Sequence, residues 1–501
     1  MVKYKKIPPS SYQKVIEAFS EEDLSKIAQV KRLFEWVEGD LIFKQHLETG
    51  KLAAEELKRL KKIGVIFNID EIALIWKEPQ FIDKINSMVG KLDDNKNIEE
   101  KLKPLENYPL LKLWAKFSIL KNQFYKGNRQ RNIPVPLKPR FDKWRQRRIS
   151  SAKSELGHFG HVIDHPLFAF ELGDGCSIGC WFCAFSSRKL TKNFSYNENK
   201  EVFKAIIEKC ISMFGKVQAS QALLYYGTEP HDNPNYFDFL KDFAEITGYL
   251  ACTATAVSTE VDWLRNLINF YRRGNYPWPR LSILSKSILF KVHESYTPDE
   301  LRDVGLLMQM REHPRPKVSG GRILKEESGL RNTQGKKYID NTVPQGSIAC
   351  VSGFLVNLVK QTIQLVSPCY TSSKWPYGYR IFDKAIFELN ANDFEKSLEK
   401  LISRNMPETF PSGQIVKLRD DLVFKSTQEG FDLISPNQVH HCNSKEIYKP
   451  LGKFLENGTY TLQELCEGLL KEYKFPFEFS TALIEQFFQK GLLDEIYKNN
   501  L

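Results

Sequence analysis

The sequence has no apolar run approaching the ~20 residues that span a bilayer. The opening stretch MVKYKKIPPSSYQ carries basic residues but no apolar segment after them, so a secretory signal is not expected. Internal repeats and low-complexity segments are also lacking. Hydrophobic residues make up 42% and charged residues 27% of the 501, which excludes disordered and fibrous classes. Cysteine is sparse and odd in number, at nine. With no export signal expected, that count argues against a disulfide framework and for a reducing, cytoplasmic compartment.

What is present is a basic excess of +11, concentrated in one place. Lys126, Arg129, Arg131, Lys138, Arg140, Lys143, Arg145, Arg147 and Arg148 are opposed there by Asp142 alone. Pro134, Pro136 and Pro139 predict an extended connector rather than a helix. Such a patch, with Phe141 and Trp144 in it, could grip nucleic acid. No recognisable nucleic-acid module accompanies it, so a solvated linker, or a surface facing an acidic peptide, is the preferred reading.

Residues 1–125 read as a helical domain, with Ser20 capping a helix that opens on Glu21, Glu22 and Asp23. After the basic linker at 126–160, residues 161–345 alternate short apolar strands with amphipathic stretches. The strands are 167–172, 222–226, 250–257 and 281–284; the helices are 197–214, 236–247, 260–272 and 298–310. That alternation predicts an α/β fold with a parallel sheet flanked by helices and ligands at the strand ends. Residues 346–410 form a hairpin-like extension, and 411–501 run from short strands into three helices, the order of a winged helix.

The chemistry lies in Cys176, Cys180 and Cys183, spaced C-x3-C-x2-C directly after the first strand. A loop this short can wrap three thiolates around one face of a cubane cluster and leave the fourth iron without a protein ligand. Zinc is the alternative, but a closed structural site wants four ligands, and nearby stand only the scattered His158, His161 and His165. One strand later come Gly227, Thr228, Glu229 and Pro230.

The cysteine motif, with the aromatic Phe182 before its last cysteine, resembles that of the radical S-adenosylmethionine (SAM) superfamily. The Gly227–Pro230 segment is similar to the superfamily's GGEP motif, with Thr228 in place of the second glycine. The resemblance implies a partial (β/α)6 barrel, a [4Fe-4S] cluster, and SAM chelating the open iron. It further implies SAM contacts from Gly227, Thr228, Glu229 and Pro230, from Thr255, Ser258, Ser282 and Ser285 near later strand ends, and from Arg322. The stretches GDGCSIGCWFC, YYGTEPHDNPNY and ACVSGFLVNLV…QLVSPCYTSSKWPYGYRIFD resemble, over about 165–385, the radical SAM peptide epimerases that mature ribosomally made peptides of the proteusin type. The implied reaction converts L- to D-residues in a precursor peptide. An electron donor of flavodoxin or ferredoxin type is implied with it. Residues 418–493 resemble the recognition element seen in the pyrroloquinoline-quinone peptide chaperone, which takes up a leader peptide along a sheet edge.

Epimerisation needs a hydrogen returned to Cα from the face opposite SAM, and a thiol is the natural donor. Cys210 and Cys466 read as buried small hydrophobes, Cys252 starts a strand, and Cys442 lies in the terminal domain. That leaves Cys369, after a rigid Ser-Pro turn, as first choice and Cys350 as second. The rival role for both is ligation of an auxiliary cluster. Rival outcomes are crosslinking or excision in the peptide and, from another class, nucleic-acid modification.

Overall fold

The computed structural model describes residues 12–77, 98–128, 134–277, 279–313, 320–323 and 347–495. The chain is mixed α/β and divides into two compact units, each built from discontinuous stretches. One takes Met1–Gln130 and Glu229–Arg315; the other takes Arg131–Thr228 and Pro316–Leu501. The division falls inside the segment read as a continuous barrel, between Thr228 and Glu229.

In the first unit, Ser20 and Asp23 form a reciprocal capping box at the start of helix Glu21–Gly39, as the sequence predicts. Buried Arg32 on that helix donates to the carbonyls of Ile63, His293, Tyr296 and Thr297 at 2.8–3.0 Å. The helical N-terminal block and the later strand–helix block are thus tied by one guanidinium. Strands Ala254–Thr255, Arg280–Ile283 and Gly305–Met308 form a parallel sheet in that order. Two expectations need correction. The strand predicted over 250–257 shrinks to two residues. The helix predicted over 298–310 stops at Leu301, because Gly305 onward pairs with Arg280–Ile283 and takes its backbone bonds from a sheet. Glycine is a poor helix former, second only to proline.

In the second unit, strand Phe168–Glu171 pairs parallel with Gly353–Asn357, which continues antiparallel into Thr362–Pro368 and Tyr379–Ile386. The hairpin read as a separate extension shares the sheet of the first strand. Of the strand predicted at 222–226, only Leu223 pairs with Ala169. The C-terminal module is a meander of Val423–Ser426, Gly430–Ile434 and Val439–Asn443, then helices Tyr448–Leu455, Leu462–Tyr473 and Phe477–Gln489 around its own apolar core.

The largest correction concerns the basic segment. Lys126, Arg129 and Arg131 are outside what can be described at side-chain level. The rest is a helix, Pro139–Leu156, not an extended connector. Pro139 sits at its first turn, where proline's missing N–H costs nothing. Phe141, Trp144, Arg145, Arg147 and Arg148 are all buried. Arg145 donates to the His165 carbonyl at 2.7 Å. Arg147 makes a two-pronged contact with Glu495 at 3.0 and 2.8 Å, its plane 3.9 Å from the Phe488 ring, and Arg148 pairs with the same carboxylate. Outside the buried set, Lys138 meets Glu399, and Arg140 and Lys143 meet Glu408. The charge excess that suggested an acidic partner is largely answered within the chain.

Two guanidiniums share one buried carboxylate, so removing it strands both. Glu495→Ala is expected to lower the unfolding free energy by about 3–5 kcal/mol, measured by urea denaturation; a loss below about 1 kcal/mol would show that water already serves these arginines.

Candidate functional site

The cysteine loop belongs to the second unit and is closed at its base by pairing of Gly173–Asp174 with Lys192–Asn193. Within it the Cys176 N–H donates to the Arg188 carbonyl at 2.9 Å, and the Cys183 N–H to the Cys180 carbonyl at 3.2 Å. Gly175 (φ 101°) and Gly179 (φ 64°) take left-handed conformations. A side chain at 175 would meet the Lys189 carbonyl at 2.5 Å. Cys176, Cys180 and Cys183 are all partly exposed and none is in a disulfide. Phe182 is half-buried, edge-on to Trp181.

The donor set suits an iron–sulfur cluster on one observation. The Ser187 N–H points at Cys183 Sγ, 3.4 Å away, a hydrogen bond of the kind that cluster sulfurs accept. No group of three or more His, Cys, Asp or Glu among the described residues converges as the ligands of one ion would.

Two clamps fix the loop. Arg322 lies against it through its N–H to the Cys183 carbonyl, while its guanidinium donates to the Cys180 and Ser187 carbonyls. The residue read as a cosubstrate contact therefore holds the loop. Gly321 (φ 56°) makes this approach possible, since a side chain there would overlap the Ala184 and Cys183 carbonyls. The second clamp is Glu171. Its carboxylate accepts from the Gly227 N–H at 2.9 Å and from Asn357 at 3.0 Å, while Ser187 Oγ donates to the Gly227 carbonyl at 2.6 Å. Burial pushes the Glu171 carboxyl above its ordinary range. Gly227 and Thr228 are thereby tied to the cysteine loop. Neither Glu171 nor Ser187 was singled out in the sequence; an acid inside the apolar run LFAFEL was the available signal.

Glu229 and Pro230 open the first unit's half of the motif. Glu229 is buried and accepts from Thr255 Oγ1 (2.5 Å), the Ala256 N–H (2.9 Å) and the His231 N–H (3.1 Å). Thr255 thus acts on Glu229 directly. Ser258 is buried and Ser282 half-buried on its strand. Ser285 accepts the Ile288 N–H and caps helix Lys286–Ser295, an ordinary strand-end role.

The two candidate thiols differ. Cys369 is fully buried, with its S–H donating to the Tyr370 carbonyl at 3.2 Å, and burial pushes its pKa far up, so it stays protonated. Cys350 is partly exposed, its N–H bonded to Tyr226 Oη at 3.2 Å beside the stack of Phe185 on Tyr226 (4.6 Å). Trp375 is buried and donates to Asp420, whereas Tyr377 is exposed.

The chain is 34% identical over 331 residues to the uncharacterized protein y4wI of Sinorhizobium fredii, an alignment covering 65% of this chain and 63% of that protein. The chain thus spans under two thirds of that relative's length. No family model matches it, and no solved structure matches it. No helix among the described residues is long and apolar enough to cross a membrane.

Burial pushes the Glu229 carboxyl up to about 7, against the bonds from Ala256, Thr255 and His231 that favour its charge. The folded pKa exceeds the unfolded one, so folding takes up a proton between the ordinary carboxylate value and about 7, and stability falls as pH rises through that window. Relative to Glu229→Gln, the wild-type chain is expected to lose about 3 kcal/mol across it, read by urea unfolding of the ligand-free protein. A gap that does not change with pH would contradict the assignment.

Proposed function

We propose that the chain is a radical SAM enzyme that converts L- to D-residues in a ribosomally made peptide. The observation that carries the reading is the three-cysteine loop, open to solvent, clamped by Arg322 and Glu171 and linked through Gly227 to a buried acid two residues on. Cys176, Cys180 and Cys183 would hold a [4Fe-4S] cluster. With SAM bound, that cluster supplies a 5′-deoxyadenosyl radical able to remove a Cα hydrogen.

This chain's residues do the rest. Glu229 meets the SAM amino group with a carboxylate that Thr255, Ala256 and His231 orient beforehand. A cation placed there favours its ionised form. A thiol returns a hydrogen atom to the peptide Cα: the S–H bond breaks, the C–H bond forms, and the sulfur is left as a thiyl. One electron and one proton from an external donor of flavodoxin or ferredoxin type restore it.

Cys369 suits the donor because its S–H survives at any physiological pH. Cys350 is the second reading, favoured by its exposure and its place beside Tyr226, which leads into the Gly227 turn. The C-terminal meander and three helices suit a leader-recognition element that adds a peptide strand at a sheet edge.

Reduced enzyme, SAM and a precursor peptide incubated in deuterated water are expected to yield D-residues with about one deuteron for each, the thiol having exchanged with solvent. Loss of two hydrogens, or of a peptide fragment, would favour crosslinking or excision instead. Of Cys369→Ala and Cys350→Ala, the donor variant should still cleave SAM yet form no D-residues; D-residues in both would reject a cysteine donor at these positions.

A further inference from the structure

A second feature of the Arg131–Thr228/Pro316–Leu501 unit is unused by the chemistry above. A cleft of about 790 Å³ opens where the end of helix Pro139–Leu156 faces the turn before strand Val439–Asn443. Its walls carry Lys153, Lys490, His158, His161 and His440, and no acid lines it. Neither lysine has a carboxylate partner among the described residues. The contrast with the rest of this basic region is sharp: Lys138, Arg140, Lys143, Arg147 and Arg148 each meet an acid of the same unit.

The floor of the cleft is built rather than incidental. Gly157 ends the helix at φ 54°, and a side chain there would strike Asn437 at 2.6 Å. Asn437 Nδ2 donates to the Glu155 carbonyl at 2.7 Å and to Tyr370 Oη at 2.9 Å. Ser154 Oγ lies 2.9 Å from His440 Nε2. Tyr370 is the residue whose carbonyl takes the Cys369 S–H. The strand running out of the cleft, Val439–Asn443, is the outer strand of the C-terminal meander and pairs on one side with Gly430–Ile434.

We infer that this cleft binds a carboxylate-bearing stretch of the substrate peptide, held between Lys153 and Lys490 as the peptide runs along the outer strand. The inference rests on the peptide-modifying reading in taking the anion to be a peptide. Two ammoniums without a carboxylate partner among the described residues, in a cleft that no acid lines, give complementarity to acidic side chains. No Phe, Tyr or Trp lines the cleft as a broad stacking platform for a base, which disfavours single-stranded nucleic acid. Through Asn437 the occupied cleft is one hydrogen bond from the turn that carries Cys369.

The test is binding by the full chain, without reductant or SAM, so its result does not depend on what reaction follows. Fluorescence anisotropy is read at low salt with a labelled synthetic peptide of alternating Glu and Gly, its Gln-for-Glu counterpart, and a labelled oligothymidylate. The Glu peptide is expected to bind and the Gln peptide not. The variant Lys153→Glu/Lys490→Glu is expected to weaken the Glu peptide by about tenfold or more. Lys396→Glu/Lys400→Glu changes net charge equally on the exposed face of helix Ala391–Asn405 and is expected to bind as wild type. Equal losses in both variants, unchanged binding in the cleft variant, or oligothymidylate bound more tightly than the Glu peptide and lost with the same lysines would overturn the proposal. Matching thermal midpoints for the two variants establish that affinity, not folding, is being compared.

Discussion

The structure of the larger unit depends on placing five guanidinium groups in its interior and answering each one. Arg147 and Arg148 meet Glu495; Arg380 meets Glu155, Asp420 and Asp421; Arg419 meets Asp421 and the Gly491 carbonyl; Arg145 meets the His165 carbonyl. Buried charge is tolerated only when paired and hydrogen-bonded. These pairs therefore fix which surfaces can meet: helix Pro139–Leu156, the hairpin around Cys369 and the C-terminal module lock in one arrangement. Arg suits this because its planar fork serves two acceptors at once.

One consequence is functional. The turn bearing Cys369 is gripped by residues of the C-terminal module: Trp375 and Arg380 bond Asp420, and Asn437 bonds Tyr370. The C-terminal module is thus in direct contact with the turn that carries Cys369. On the other side of the same sheet, Glu171 and Asn357 tie the start of the Gly227 turn to the strand pair that supports the cysteine loop. The C-terminal module, the Cys369 turn and the cysteine loop all belong to the second unit.

Much of this was legible in the residues. The cysteine spacing, the Gly227–Pro230 turn, the Ser20 cap and helices such as Tyr236–Thr247 and Leu462–Tyr473 could be read because local signals set them. The basic helix could not. The three prolines of its segment suggested an extended chain, and six arginines and lysines in the described part suggested water, yet its fate was set by Glu495, some 350 residues away. Gly305–Met308 was misread for the same reason, since its partner strand lies at 280–283. Arg322 was legible as important but not as a loop clamp, because carbonyl acceptors leave no mark in a sequence. The contrast between buried Cys369 and partly exposed Cys350 was equally invisible, both being thiols in apolar company.

The central claim is that Cys176, Cys180 and Cys183 hold a [4Fe-4S] cluster with one iron left for SAM. Anaerobic reconstitution, iron and sulfide analysis, and electron paramagnetic resonance of the reduced chain with and without SAM test it most directly. The account expects about four irons and four sulfides per chain, a signal that shifts when SAM is added, and loss of both in Cys183→Ala. One zinc per chain, or a reduced cluster whose signal is indifferent to SAM, would contradict it.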